Sequence, residues 1–423
     1  MKKKFLFLSA LVAATTAFVS CSSDENLAEV PDVVEETPAK TGTPFSVVVA
    51  NDDGTTRATL IDNTSLGSFK LFAKQGSAAP WINGNVFKFE DSKWNPYQGS
   101  TAVEMSWPTE DKETASNFYA YSDNSTDGIT VSATPTTSCV VTDNLANGSF
   151  VYKMYVDPNP ANHALRVGGR DSSPTYTSED DNKNIVDLSK QSDLLVASTT
   201  QNEAAGTTVP LHFRHALSSL AFKARFTSFE NGETTGQIND DETLTIYWMR
   251  IRGLKGGGTF TFPTTDNYDT TTHRWATNPW TAEGGTDVVY EWVFGEEHPF
   301  TITAQHHLAD EAINIVDMTD HTEMLIVPQT FTPYFKIADY PTGGPGYAPT
   351  NCYIELGMKG SSRAVGRSIY YMPLAINSTN NTFLAGVQHT LILNFKYLTN
   401  SSGAYQYSPS DAAGAPPVVL EIE

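Results

Sequence analysis

Apolar and polar residues alternate with a period of two over short runs along nearly the whole chain, and turn-forming residues separate the runs. "FKLFAKQ" sets Phe69, Leu71 and Ala73 against Lys70, Phe72 and Lys74, and "WINGNVFKF" carries an Asn-Gly pair that predicts a turn feeding another strand. In "LAFKARF", Leu220, Phe222, Ala224 and Phe226 face one way, and Lys223 and Arg225 the other. "TLTIYWMRI", "PFTITAQ", "TEMLIVPQT", "SIYYMPLAI" and "HTLILNFKYL" continue the pattern. "RHALSSL" predicts one short helical turn and "RGLKGGGTF" a hairpin connection, but no long amphipathic helix is visible. An all-β chain of packed sandwiches is expected, with exposed loops near 170–184 and 339–350.

Two further alternating runs lie near opposite ends. "PFSVVVA" directs Phe45, Val47 and Val49 to one side and Ser46, Val48 and Ala50 to the other, which predicts a strand with a buried apolar face. "VVLEIE" alternates Val418, Leu420 and Ile422 with Val419, Glu421 and Glu423, the pattern of an edge strand with one apolar face. Its apolar spacing mirrors that of Phe45, Val47 and Val49.

Composition narrows the function. The chain of 423 residues has room for two or three domains, and its formal charge of −21 provides no electrostatic footprint for nucleic acid. Lys2, Lys3 and Lys4 followed by the apolar run Phe5 to Val19 read as a signal peptide, too short for an ordinary membrane span. It ends in "FVSC", where Ser20 before Cys21 resembles a lipobox, so Cys21 is the expected lipidation site and residues 1–20 the removed segment. That removal would take away three lysines and no acid, shifting the charge to −24. Residues 22–44 are acidic and contain proline, as a flexible tether would.

Candidate chemistry is sparse. His306, His307, Asp310 and Glu311 lack HExxH or comparable metal spacing, and the glycines of "RGLKGGGTF" lack the GK[ST] of a phosphate loop. His215 lies between apolar Phe213 and Leu217, where a hydrogen-bonded packing role is expected. Cys352 shares a strand face with Ile354, Leu356 and Met358, as a core residue would; a disulfide to Cys139 is left open. Trp81, Trp94, Trp107, Trp248, Trp275, Trp280 and Trp292 lie mostly in strand context, as core or rim residues rather than a sugar platform. The expectation is a protein that is not an enzyme and uses neither cofactor nor metal.

Several segments together resemble the fimbrillin family of pilins and pilus accessory proteins from Gram-negative anaerobes. These are "KWNPY" and "MSWPTEDKETASNFYAYS", then "SDLLVAS" with "VPLHFRHALSSLAFKARF", then "MLIVPQTF" and "AGVQHTLILNF". The resemblance implies two transthyretin-like β-sandwich lobes after the signal peptide, with the junction near residues 200–208. The implied organisation is a tether and propeptide strand over 21–57, lobes over 58–205 and 206–400, and a tail over 401–423. It also gives a role to Arg57, the first arginine of the chain, which sits in "NDDGTTRATLID" with the next arginine at 166. Family pilins are exported as lipoproteins and cut by an arginine- or trypsin-specific protease in a loop after the first strand. Here that cut would fall between Arg57 and Ala58 and release Phe45, Val47 and Val49 as a displaced strand.

The tail carrying Val418, Leu420 and Ile422 is then the candidate donor strand, filling the vacated groove of another subunit by β-augmentation. The expected product is a homopolymer, a type V pilus shaft supporting adhesion. Its precursor would be held at the outer membrane, on the cell surface, through lipid on Cys21. Alternatives are a pilus tip or anchor subunit, and a surface glycan-binding lipoprotein.

Overall fold

The computed structural model describes residues 42–50, 66–108, 112–123, 139–144, 147–156, 184–229, 243–264, 267–272, 274–283, 287–293, 300–303, 313–314, 324–332, 352–360, 368–373, 381–399, 405–409 and 418–422. Among these the regular structure is β, with 3-10 turns at Leu188–Lys190 and Glu203–Ala205. The all-β expectation from the period-two pattern holds.

A seven-stranded sheet runs in the order Arg214–His215, Leu195–Gln201, Ser116–Ser122, Ser68–Gln75, Ile82–Glu90, Lys93–Gln98, Thr101–Ala102. Its Ser68–Gln75 strand is buried on both faces. Phe69, Leu71 and Ala73 pack in one apolar core with Phe87, Phe118, Val209 and Leu211, while Phe72 packs on the opposite side in a second core with Tyr121 and Phe150. Phe72, set among lysines in the sequence, is therefore a core residue of its own. Asn83 and Gly84 form no turn; they lie inside Ile82–Glu90, where the register with the neighbouring strand shifts between Leu71 and Phe72. Gly84 has φ of 77°, and a Cβ there would come within 2.9 Å of Phe72 Cζ, so glycine accommodates a bulge over that ring.

The second core is lined by the three other large sheets. Ser218–Phe229 runs parallel to Gln388–Thr399, and Thr243–Lys255 lies between Tyr353–Gly360 and Asp287–Val293. Val140–Asn144 and Ser149–Lys153 complete a four-stranded sheet with Gly257–Thr261 and Trp280–Ala282, so residues well before 200 build a sheet with residues well after it. "RHALSSL" is not helical. Arg214–His215 pairs with Leu195–Val196, and Ser218 begins the next strand, because Ala216 and Leu217 both point into core that a helix would leave unfilled. "RGLKGGGTF" is not a hairpin either, since Thr243–Lys255 and Gly257–Thr261 belong to different sheets. A Cβ on Gly256 would sit 2.6 Å from Val288 and one on Gly258 2.9 Å from the Thr281 carbonyl, so the glycines allow a tight corner between packed layers.

Cys139 and Cys352 are both free and buried in this second core. Ile354 and Leu356 share the buried face with Cys352, as expected. On the other face of the same sheet Arg250 is fully buried against Glu291 and Glu355, with Arg252 Nε 2.7 Å from Glu355.

Candidate assembly groove

The strand Ser46–Ala50 pairs in parallel with Thr208–His212, with Val47 opposite Val209 and Val49 opposite Leu211. Alternation then decides which side chains enter the core. Val47 and Val49 are buried, whereas Val48 is 41% exposed and Ser46 meets the Thr208 hydroxyl on the outer side at 2.7 Å. The apolar face expected for Phe45, Val47 and Val49 is thus the one packed inward.

Phe45 sits in a cage of rings. Its centroid lies 5.2 Å from Trp81, 5.6 Å from Trp107, 5.8 Å from Phe118 and 6.4 Å from Phe87, with the Phe118 ring stacked and the others edge-on. Trp107 is fixed by its Nε1–H donating to the Thr207 carbonyl at 3.1 Å, and Trp81 by Nε1–H donating to Ser116 Oγ at 3.2 Å.

The entry to the strand is held from both sides. The Phe45 amide donates to the Met105 carbonyl at 3.0 Å, the Ser46 amide to the Thr207 carbonyl at 3.2 Å, and the Trp107 amide to the Thr43 carbonyl at 2.9 Å. Pro44 bridges Ser106. The Thr43 hydroxyl donates to Glu203, and Lys112 Nζ lies 3.0 Å from the same carboxylate. Those two contacts, Thr43 first, hold the Glu203 carboxyl below its ordinary range. Sequence reasoning found the alternating strand but missed the cage and the latch; the aromatic positions are visible in the sequence, but their convergence on Phe45 is not.

The tail strand Val418–Ile422 pairs within its own chain. It runs antiparallel to Gln388–Thr399 with Val418 opposite Leu393, Leu420 opposite Leu391 and Ile422 opposite His389. Tyr405–Pro409 continues along the same strand at Phe395–Thr399, so the two tail strands lie end to end. Cys21, Arg57, Ala58, and the group His306, His307, Asp310 and Glu311 lie outside the described residues. His215 is buried with Nδ1 against Asp193, in line with its packing role. Trp94, Trp107 and Trp280 are buried, and Trp81, Trp275 and Trp292 partly so. Among the described residues no helix is long and apolar enough to cross a membrane.

The chain is similar in fold to several solved structures. A protein assigned to cell adhesion from Bacteroides eggerthii is 10% identical, with a TM-score of 0.44 over 90% of this chain and 95% of that one. A fimbrial assembly protein from Parabacteroides distasonis is 10% identical, with a TM-score of 0.33 over 89% and 98% of the two chains. The fimbrial anchor protein of Porphyromonas gingivalis is 8% identical, with a TM-score of 0.31 over 90% and 97%. No curated protein matches the chain. The sequence profile of the fimbrillin-like family matches residues 161–406, more than half of the chain, and the chain belongs to that family.

Proposed function

We propose that this protein is a structural subunit of a fimbria: exported as a lipoprotein on Cys21, cut after Arg57, and polymerised when the tail of one subunit replaces the first strand of another. The observation that carries the proposal is the first strand itself, a five-residue ladder on a single parallel partner that closes an apolar core with Phe45, Val47 and Val49. Burying those side chains contributes roughly 1.5 to 3 kcal/mol each, and the ladder bonds about 0.5 to 1.5 kcal/mol apiece. Ordering the segment costs about 1 to 2 kcal/mol per residue. The terms nearly cancel, so while covalently attached the strand stays in place, and once cut it can leave.

The vacated edge would then accept a strand of the same length. The tail in its own chain also makes a five-residue ladder, antiparallel there and parallel in the groove, so moving it to a neighbour keeps the length of the ladder and changes its direction. A head-to-tail contact of this kind does not close on itself and extends as a filament. One observation favours a second reading: a subunit that keeps Val418–Ile422 on its own Gln388–Thr399 strand offers no donor, which suits a tip or anchor subunit at the end of a fibre. N-terminal sequencing of fibres extracted from the surface separates the two. Ala58 as the first residue supports the shaft subunit, and acylated Cys21 in assembled fibres supports the anchor.

A further inference from the structure

We infer that the tail of a second copy enters the first-strand groove in a single register, with Pro417 in the place of Pro44, Val418 in the ring cage of Phe45, and Leu420 and Ile422 in the places of Val47 and Val49. In that register the cage is the position that ranks occupants. The inference rests on the exchange proposed above and adds the residues that decide its specificity.

Three features fix the register. The groove demands amide donors at two successive positions, since the Phe45 amide bonds Met105 and the Ser46 amide bonds Thr207. Val418 and Val419 supply both. Sliding the tail two residues deeper would put Pro416 and Pro417 there, which have no N–H, so the Met105 carbonyl would lose the strand's amide and the Thr207 carbonyl would keep only the Trp107 indole N–H. Sliding it two residues back takes Val418 out of the groove, and any slip by one turns Glu421 toward the apolar core. A Cβ on Gly42 would lie 2.7 Å from Ser106 Cβ, so Ala415 cannot follow the path of Gly42 and occupancy starts at Pro416.

The outer face agrees. Glu421 takes the place of Val48, the exposed position, and Glu423 takes that of Ala50, whose partner across the ladder is the exposed His212. Carboxylates therefore fall where solvent and an imidazole meet them.

The inner face is uneven. Leu420 and Ile422 are at least as large as the valines they replace, but Val418 stands where four rings surround a phenyl group. A valine there leaves ring faces without contacts. The cage accordingly prefers an aromatic side chain, and this chain's own tail binds below what the groove allows.

The test uses full chains carrying V418F or V418A, cut with trypsin and allowed to form ladders, whose dissociation in urea is followed on native gels. V418F ladders should dissociate more slowly than wild-type ladders by on the order of tenfold, V418A ladders should dissociate faster, and Trp81→Leu in the accepting subunit should erase the V418F advantage. Wild-type ladders with V418F equal to or weaker than wild type would overturn the cage assignment while leaving strand exchange intact. Ladders unaffected by Leu420→Asp would overturn the register. Failure of the wild-type cut chain to form ladders would remove the exchange reading and this inference together.

Discussion

Thr43 donates its hydroxyl hydrogen bond to the carboxylate of Glu203, 160 positions further along the chain, and Lys112 approaches the same carboxylate at 3.0 Å. Thr43 also presents its carbonyl to the Trp107 amide, so the latch and the wall of the ring cage meet at one residue. A carboxyl held below its ordinary range contributes stability that is present above its unfolded pKa and disappears as pH falls through the lower folded value. Glu203→Ala should speed amide exchange at Phe45 and Trp107 at neutral pH, and wild type should approach the variant on acidification below the ordinary carboxylate range. Equal exchange in the two proteins at neutral pH would remove the latch from the account.

Phe45 joins the first strand to both tryptophans of the cage. Phe45→Ala should cost about 3 kcal/mol, the lower end for a truncated core phenylalanine, because its ring is only partly buried. The midpoint of urea unfolding reads the loss. A change below about 0.5 kcal/mol, the size of an ordinary surface substitution, would mean that the cage relaxes around the missing ring and does not hold the strand.

The buried Arg250 makes a different kind of prediction. It joins strands on either side, Glu291 across one ladder and Glu355 across the other. Arg250→Met should destabilise by about 3 to 5 kcal/mol, because the Glu291 carboxylate then remains buried without its cation, while Glu355 keeps Arg252. Adding Glu291→Gln should recover part of the loss, since a neutral amide tolerates burial better. Thermal unfolding of the single and double variants measures it, and a double variant no more stable than the single would show that packing volume matters there more than charge.

The strands were legible wherever one face was apolar and the other polar. The first strand is a weaker case, since Phe45, Val47 and Val49 recur at every second position but only Ser46 on the solvent side is polar, Val48 being apolar and exposed. Legibility failed where a sheet is covered on both faces. Phe72 looked like an outward residue beside Lys70 and Lys74, and Ala216 and Leu217 looked helical, because a second layer of core arrives from segments distant in sequence. Glycines misled for a related reason. Gly84 and Gly256 serve close approach to Phe72 and Val288 rather than hairpin turns, and a close approach involves atoms that the local sequence does not contain. The candidate groove was half legible in the same way, since its occupant is periodic but its walls come from Trp81, Met105 to Trp107, Phe118 and Thr207 to Leu211.

The second core should fail at alkaline pH. Cys139, Tyr152, Tyr290 and Cys352 are all buried there, and burial is the leading cause that pushes each of their acidic groups above its ordinary value. The Cys139 thiol donates to the Lys190 carbonyl at 3.4 Å and the Tyr290 hydroxyl to Met154 Sδ at 2.9 Å, which keeps both protons in place. The unfolded chain releases these protons first. Stability is therefore complete below the unfolded thiol value of about 8.5 and declines as pH rises toward the folded values, by up to about 1.4 kcal/mol per pH unit for each thiol, with the tyrosines joining above about 10. Urea unfolding between pH 7 and pH 11 should show a midpoint that falls from about pH 8.5 onward, and iodoacetamide should modify Cys139 and Cys352 only as fast as the chain unfolds. Cys352→Ala should flatten the first part of that decline. A midpoint independent of pH up to 10, or labelling of the native chain at the rate of an exposed thiol, would mean that these groups reach water in the folded protein.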